Sequence, residues 1–155
     1  MKIVSGGQTG ADRGALDAAI ELGLAHGGWC PRGHLAEDGV IPPLYQLREH
    51  PRPGYPARTD ANARDSDGTL LVTRGAPTGG SALTVDRARA HARPLLHLDL
   101  DQRSIAEAAR ELRQWLAAHR IAVLNVAGPR ASTCPGIAAD VRALLVAALS
   151  ADPAE

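Results

Sequence analysis

Three glycine-punctuated stretches hold the residues best suited to chemistry. The first is Ser5-Gly6-Gly7-Gln8-Thr9-Gly10-Ala11-Asp12-Arg13-Gly14. Glycines let a backbone turn tightly and bring its N–H groups close to an anion. A helix starting just after such a turn adds partial positive charge, worth about 0.3–1 kcal/mol per exposed charge. Thr9 offers a hydroxyl and Arg13 a planar fork matched to phosphate. The stretch is neither a Walker A loop nor the dinucleotide G-x-G-x-x-G, because it lacks the lysine and the spacing. The second stretch is Thr78-Gly79-Gly80-Ser81-Ala82-Leu83-Thr84, and the third is Asn125-Val126-Ala127-Gly128-Pro129-Arg130 followed by Ser132 and Thr133. The candidate anion contacts are therefore Gly6, Gly7, Gln8, Thr9, Gly10, Asp12 and Arg13, then Gly79, Gly80, Ser81 and Thr84, then Gly128 and Arg130. Together they point to a small, phosphate-bearing ligand.

A second set lies between the first two turns. Arg32 and Arg58 are candidate cationic contacts, and Asn62, Asp65 and Asp67 are candidate acceptors for the N–H groups of a heterocycle. Asp65-Ser66-Asp67-Gly68 also reads as a plain turn opening the next strand, and it lacks the remaining ligands of a calcium loop. No metal site is expected. The chain has no H-E-x-x-H, no G-x-S-x-G and no cysteine–histidine cluster. No nucleophile stands beside a base, so catalytic residues are unassigned and a binding role is favoured over an enzymatic one.

The elements that must position these residues alternate between strand and helix. Apolar runs predict strands at Lys2 to Val4, Gly27 to Cys30, Thr69 to Thr73, Pro94 to Leu98 and Ile121 to Val126. Helical spacing predicts helices at Ala11 to Leu22, Ser81 to His91, the segment opened by the capping box Ser104-Ile105-Ala106-Glu107, and Ile137 to Leu149. Alternation with near-continuous apolar strands implies a mainly parallel sheet of about five strands covered on both faces. The expected fold is α/β, a Rossmann-like, doubly wound three-layer sandwich, in which ligands sit beyond the carboxyl ends of the strands.

Residues 1–150 read as one domain, and 31–66 as a lid-like insertion within it. That insertion holds Pro31, Pro42, Pro43, Pro51, Pro53 and Pro56, six of the chain's 11 prolines. A connection this long in a compact domain is usually functional or disordered. It carries Tyr45 and Tyr55, with Trp29 just ahead, so an ordered lid with a short helix near Leu44 to His50 is expected.

The 155 residues carry a formal net charge of zero, which argues against general nucleic-acid binding and against a polybasic membrane anchor. No run of apolar residues reaches the roughly 20 needed to span a bilayer. The chain enters its first strand directly, and Cys30 and Cys134 have no metal-type spacing. A cytoplasmic protein with two free thiols is expected. Lys2 is the only lysine, every other basic residue apart from histidine being arginine.

Several of these motifs resemble those of the circularly permuted YpsA group in the SLOG superfamily, also called the molybdenum cofactor carrier family. The resemblance rests on Ser5 to Leu16, Gly28-Trp29-Cys30-Pro31-Arg32-Gly33, Ala36-Glu37-Asp38-Gly39, Ile41-Pro42, Arg58-Thr59 with Asn62, Asp65 to Leu70, Gly79-Gly80, and Leu124 to Arg130. It implies a Rossmann-like homo-oligomer (a dimer or tetramer) that holds molybdenum cofactor, the phosphate-bearing molybdopterin, without transforming it, and passes it to a molybdoenzyme. The wider superfamily binds nucleotides, and its cytokinin-activating members hydrolyse nucleotide monophosphates. Here Ser81 stands where the carrier pattern has threonine, and the hydrolase pattern is not matched. Cofactor carrier, nucleotide-processing enzyme and nucleotide sensor remain the three readings, with the carrier first.

Overall fold

The computed structural model describes residues 1–150. In chain order the elements are β1 (Lys2–Val4), α1 (Ala11–Leu22), β2 (Ala25–Gly27), β3 (Trp29–Cys30), β4 (Leu35–Ala36), β5 (Gly39–Val40), β6 (Arg48–Glu49), α2 (Tyr55–Arg64), β7 (Gly68–Thr73), α3 (Gly79–Ala90), β8 (Leu95–Asp99), α4 (Ile105–His119), β9 (Val123–Ala127) and α5 (Ile137–Leu149). Five strands form one sheet in the order β2-β1-β9-β7-β8, and every neighbouring pair is parallel. β7 is buried along its whole length, as its Gly-Thr-Leu-Leu-Val-Thr run demands of a strand covered on both faces.

Helix α5 packs between α1 and α4, while α2 and α3 pack on each other. The main core joins Ile3, Leu70, Val72, Leu98, Leu124 and Val126 from the strands to Ala15, Leu112, Val141, Leu144 and Leu145 from α1, α4 and α5. The capping box at Ser104 forms as expected, with Glu107 N donating to Ser104 Oγ and Ser104 N to Glu107 Oε1, each at 3.1 Å.

Read from β9 instead of β1, the strands become β9 first, β1 second, β2 third, β7 fourth and β8 fifth. The sheet order is then 3-2-1-4-5, that of a Rossmann half-sheet and its continuation. The chain is a Rossmann-like sandwich whose termini have been moved. Its topological switch point, where crossovers diverge to opposite edges, lies between β9 and β7.

Two expectations are corrected. The strand expected at Gly27 to Cys30 is broken in two. Ala25–Gly27 pairs with β1, whereas Trp29–Cys30 turns away and pairs with β6. The break falls at Gly28, whose φ of +124° suits glycine and whose missing Cβ leaves room for the Ser5 carbonyl. No helix forms at Leu44 to His50. Tyr45 anchors that stretch in a satellite core with Leu16, Cys30, Ala36 and Ile41, its hydroxyl donating to Asp17 Oδ1 at 2.7 Å. Arg48 N then donates to Gly28 O at 2.9 Å, which fixes β6 as a strand. The helix within the 31–66 segment is α2, opened after Gly54 with Pro56 in its first turn. Among the described residues no helix is long and apolar enough to cross a membrane.

Candidate functional site

A cleft of about 250 Å³ opens at the carboxyl ends of the strands, above the switch point. Gln8 and Asp12 come from the β1–α1 turn, Tyr55, Arg58 and Thr59 from α2, Thr78 to Ser81 with Leu83 and Thr84 from α3, and Ala127 to Arg130 with Thr133 from the β9–α5 turn. All three glycine turns therefore contribute to one hollow.

The amino end of α3 supplies its most exposed donors. Thr78 sits at the N-cap in extended conformation, its side chain makes no capping hydrogen bond, and the first turn carries no carboxylate. Ser81 N is satisfied by Thr78 O at 3.0 Å. A Cβ on Gly79 or Gly80 would meet nothing within 4 Å, so their backbone faces open space in the cleft. An uncapped helix start of this kind favours an anion.

Two guanidinium groups flank the Tyr55 ring, Arg58 with its carbon 5.4 Å and Arg130 5.3 Å from the ring centroid. Arg58 lies across Gly6, where any side chain would collide with it. Its Nη1 is 3.7 Å from Asp12 Oδ2, and both side chains are largely buried. Burial pushes the Asp12 carboxyl above its usual range, against the pull of Arg58 and of the Gln8 and Gly6 amides. Gln8 N donates to Asp12 Oδ2 at 3.2 Å. The Gln8 carboxamide oxygen accepts from Thr9 N at 3.0 Å and Glu37 N at 2.8 Å, but its Nε2 is buried without a partner, as is Arg58 Nε. Such buried orphan donors are rare in native proteins and call for an acceptor.

Several expected contacts make hydrogen bonds within the protein. Thr9 donates its hydroxyl to Glu37, which also accepts from Ser132 N at 3.1 Å and Ser132 Oγ at 2.5 Å and lies 3.9 Å from Arg130 Nη1. The Ser132 and Thr9 hydrogen bonds hold the Glu37 carboxyl below its ordinary range. Arg13 spends its fork on Asp38, at 2.5 and 2.7 Å, and its Nε on Gly7 O. Glu37 and Asp38 form the tip of the β4–β5 hairpin, so these bonds latch the 31–66 segment onto the first turn. Gly7, at φ +76°, directs its missing side chain toward Leu47 and Ile41 in the satellite core, away from the cleft. Gly10 makes room for the β9–α5 turn and Gly128 for Val72 O and Ala11.

The acidic set lies elsewhere. Asn62 is buried and bonds both backbone groups of Trp29, at 2.8 and 2.9 Å. Asp65 accepts from the Trp29 indole at 2.9 Å and pairs with Arg64, which lowers its carboxyl to about 2. Asp67 Oδ2 accepts from Ala122 N at 2.9 Å and Val123 N at 2.8 Å. Asp65 and Asp67 immediately precede β7 and so occupy the amino rim of the sheet, opposite the cleft. Asn62 and Asp65 line a separate hollow with Lys2, His26, Trp29 and Arg48. Arg32 is exposed and outside the cleft.

The cleft also contains Tyr55, Thr78, Leu83, Ala127, Pro129 and Thr133, which are not among the expected contacts, together with Thr59, which stands beside Arg58 in the sequence motif. Thr78, Leu83, Ala127, Pro129 and Thr133 lie within the glycine-rich stretches themselves, between or beside the expected contacts. Tyr55 depends on recognising α2.

The model of the circularly permutated YpsA SLOG family matches residues 3–149. No curated protein matches the chain. Among solved structures, a protein of Syntrophus aciditrophicus SB, described as a "putative molybdenum carrier protein" and determined at 1.45 Å, is 50% identical, with a TM-score of 0.94 over 96% of this chain and 94% of that one. A match of this extent, on a sheet whose order is a permuted Rossmann order, leaves one conclusion: the chain belongs to the circularly permutated YpsA SLOG family.

Proposed function

We propose that this protein binds, stores and hands on molybdenum cofactor, gripping the pterin's phosphate in the cleft between the β9 and β7 ends without transforming it. One observation carries the reading: the uncapped amino end of α3 faces the same hollow as the paired guanidinium groups of Arg58 and Arg130. Helix-terminal amides and forked cations are the two most common ways of holding a phosphate. The cargo also needs groups that read a heterocycle edge. With Asp65 and Asp67 on the far rim, that role passes to Gln8 Nε2, which has no partner inside the protein, and to the Asp12 carboxylate. Tyr55 offers a ring face. The 31–66 segment supplies α2 and its arginine, and it encloses the cargo by holding α2 over the turns. The description of the Syntrophus protein as a molybdenum carrier supports the choice of cargo. Handing it on requires a recipient molybdoenzyme, and we place the exchange in the cytoplasm with the carrier as a homo-oligomer.

The test is anaerobic purification followed by mass spectrometry, pterin fluorescence and metal analysis. The reading predicts a pterin phosphate and molybdenum in near-equal amounts with the protein. A nucleotide in their place would overturn it and favour the second reading, a nucleotide-binding sensor or enzyme, which the Rossmann order of the sheet supports.

A further inference from the structure

The cleft does not end at α3's first turn. Leu83 lines it and also lines a second hollow of about 560 Å³ between α2 and α3. Tyr55 belongs to the first, and Pro56 and Ala57, the next residues on α2, to the second. The two hollows are thus consecutive stretches of one groove. Gly79, Leu83 and Arg87 recur every four residues along α3, so Arg87 lies about 12 Å beyond the helix start at ~1.5 Å per residue.

The second hollow has its own chemistry. Pro53, Pro56 and Leu83 give it apolar walls of the kind that cover a flat ring. Arg52 and Arg87 bring positive charge and Asp60 a carboxylate. Arg87 Nε is buried without an acceptor. Asp60 meets Arg87 Nη1 at 3.6 Å and His91 Nε2 at 2.8 Å, both through Oδ1, which leaves Oδ2 to accept from a ligand. An apolar slot with one carboxylate and one unsatisfied guanidinium N–H can read both a donor and an acceptor on a heterocycle edge.

We propose that this hollow takes a nucleoside, joined through a pyrophosphate to the heterocycle held in the first cleft. The extended ligand would lay its two phosphates beside Arg58 and Arg130 and its second base against Leu83, Pro53 and Pro56. This rests on the phosphate cleft of the proposed function and adds the class of cargo: a dinucleotide-like form as well as the simple phosphate.

Calorimetric titration of the whole protein with inorganic phosphate, AMP and diadenosine pyrophosphate tests it, AMP standing in for a phosphate-bearing heterocycle. Diadenosine pyrophosphate is expected to bind at least about tenfold more tightly than AMP, about 1.4 kcal/mol. Arg87→Met and Asp60→Asn should each remove most of that advantage while inorganic phosphate binding stays as in the native protein, which also certifies that the variants fold. Equal affinities in the native protein, or an advantage that survives both substitutions, overturns the inference and leaves the phosphate cleft standing. If neither AMP nor phosphate binds, the cleft reading itself falls and takes this one with it.

Discussion

Replacing Arg58 by methionine probes the anion cleft most sharply, because the side chain answers to two charges. Its side chain is only 12% exposed, and the guanidinium lies 3.7 Å from Asp12. At an effective dielectric of about 20, that separation corresponds to roughly 4 kcal/mol of attraction, part of which desolvation offsets. Methionine keeps the bulk of the stem and removes the charged group that lies over Gly6. A bound phosphate or sulfate would lose charge-assisted hydrogen bonds worth about 1.5–3 kcal/mol, a weakening of about 10- to 100-fold. It would also face an Asp12 carboxylate stripped of its counter-ion. That carboxyl is already raised by burial, and without Arg58 it rises further. A carboxyl whose folded value exceeds its unfolded one favours the fold at low pH and costs stability once the pH has risen through the folded value. The variant should therefore gain both stability and anion affinity as the pH falls through the raised folded value of Asp12, relative to the native protein. Sulfate, whose charge is fixed over that range, is the right probe, read by calorimetry beside a denaturant titration. Arg58→Lys keeps the charge but loses the fork and should fall between the two. A folded Arg58→Met protein that binds sulfate as well as the native one, with no pH-dependent recovery, would refute the reasoning.

Other positions give independent checks. Gly7→Ala forces a side chain into a left-handed backbone and against Leu47 and Ile41, 2.9 Å from Ile41 Cδ1. The combined cost should be about 3 kcal/mol in a denaturant titration, and a loss under about 1 kcal/mol would contradict the placement. Anion affinity of the folded fraction should hardly change. Glu37→Ala removes the hairpin's bonds to Thr9 and Ser132, so limited proteolysis within 31–54 should quicken; identical cleavage rates would show that the latch holds nothing. Cys30 is fully buried and its thiol is pushed up to about 11, chiefly by burial, so a thiol reagent should label the native protein at Cys134 only and reach Cys30 after unfolding. Equal labelling of both in the native state would show that the satellite core is open.

Much of this architecture is legible in the residues because local pattern and burial agree. Thr69 to Thr73 reads as a buried strand and becomes one, and Ser104 to Glu107 reads as a capping box and forms it. The segment 31–66 resists such reading because its structure depends on distant partners. Helix α2 runs Tyr-Pro-Ala-Arg-Thr-Asp-Ala-Asn-Ala-Arg, with Thr59, Ala61, Asn62 and Ala63 as its buried face, so it shows no apolar period. The prolines of the segment read as loop punctuation, although Pro56 opens a helix. Arg13 and Thr9 look free in sequence because nothing local reveals that Asp38 and Glu37 return to meet them 25 and 28 residues later. Asp65 and Asp67 differ again. They precede a parallel strand, so the rule that ligands sit beyond carboxyl ends puts them on the rim opposite the cleft.

The most direct test is anomalous diffraction at the molybdenum edge from crystals of protein carrying its cofactor. One strong peak is expected inside the hollow bounded by Gly79, Gly80, Arg58 and Arg130, with phosphate density against the α3 amides. A molybdenum peak beside Trp29 and Arg48 on the other side of the molecule, with the cleft holding only water, would contradict it.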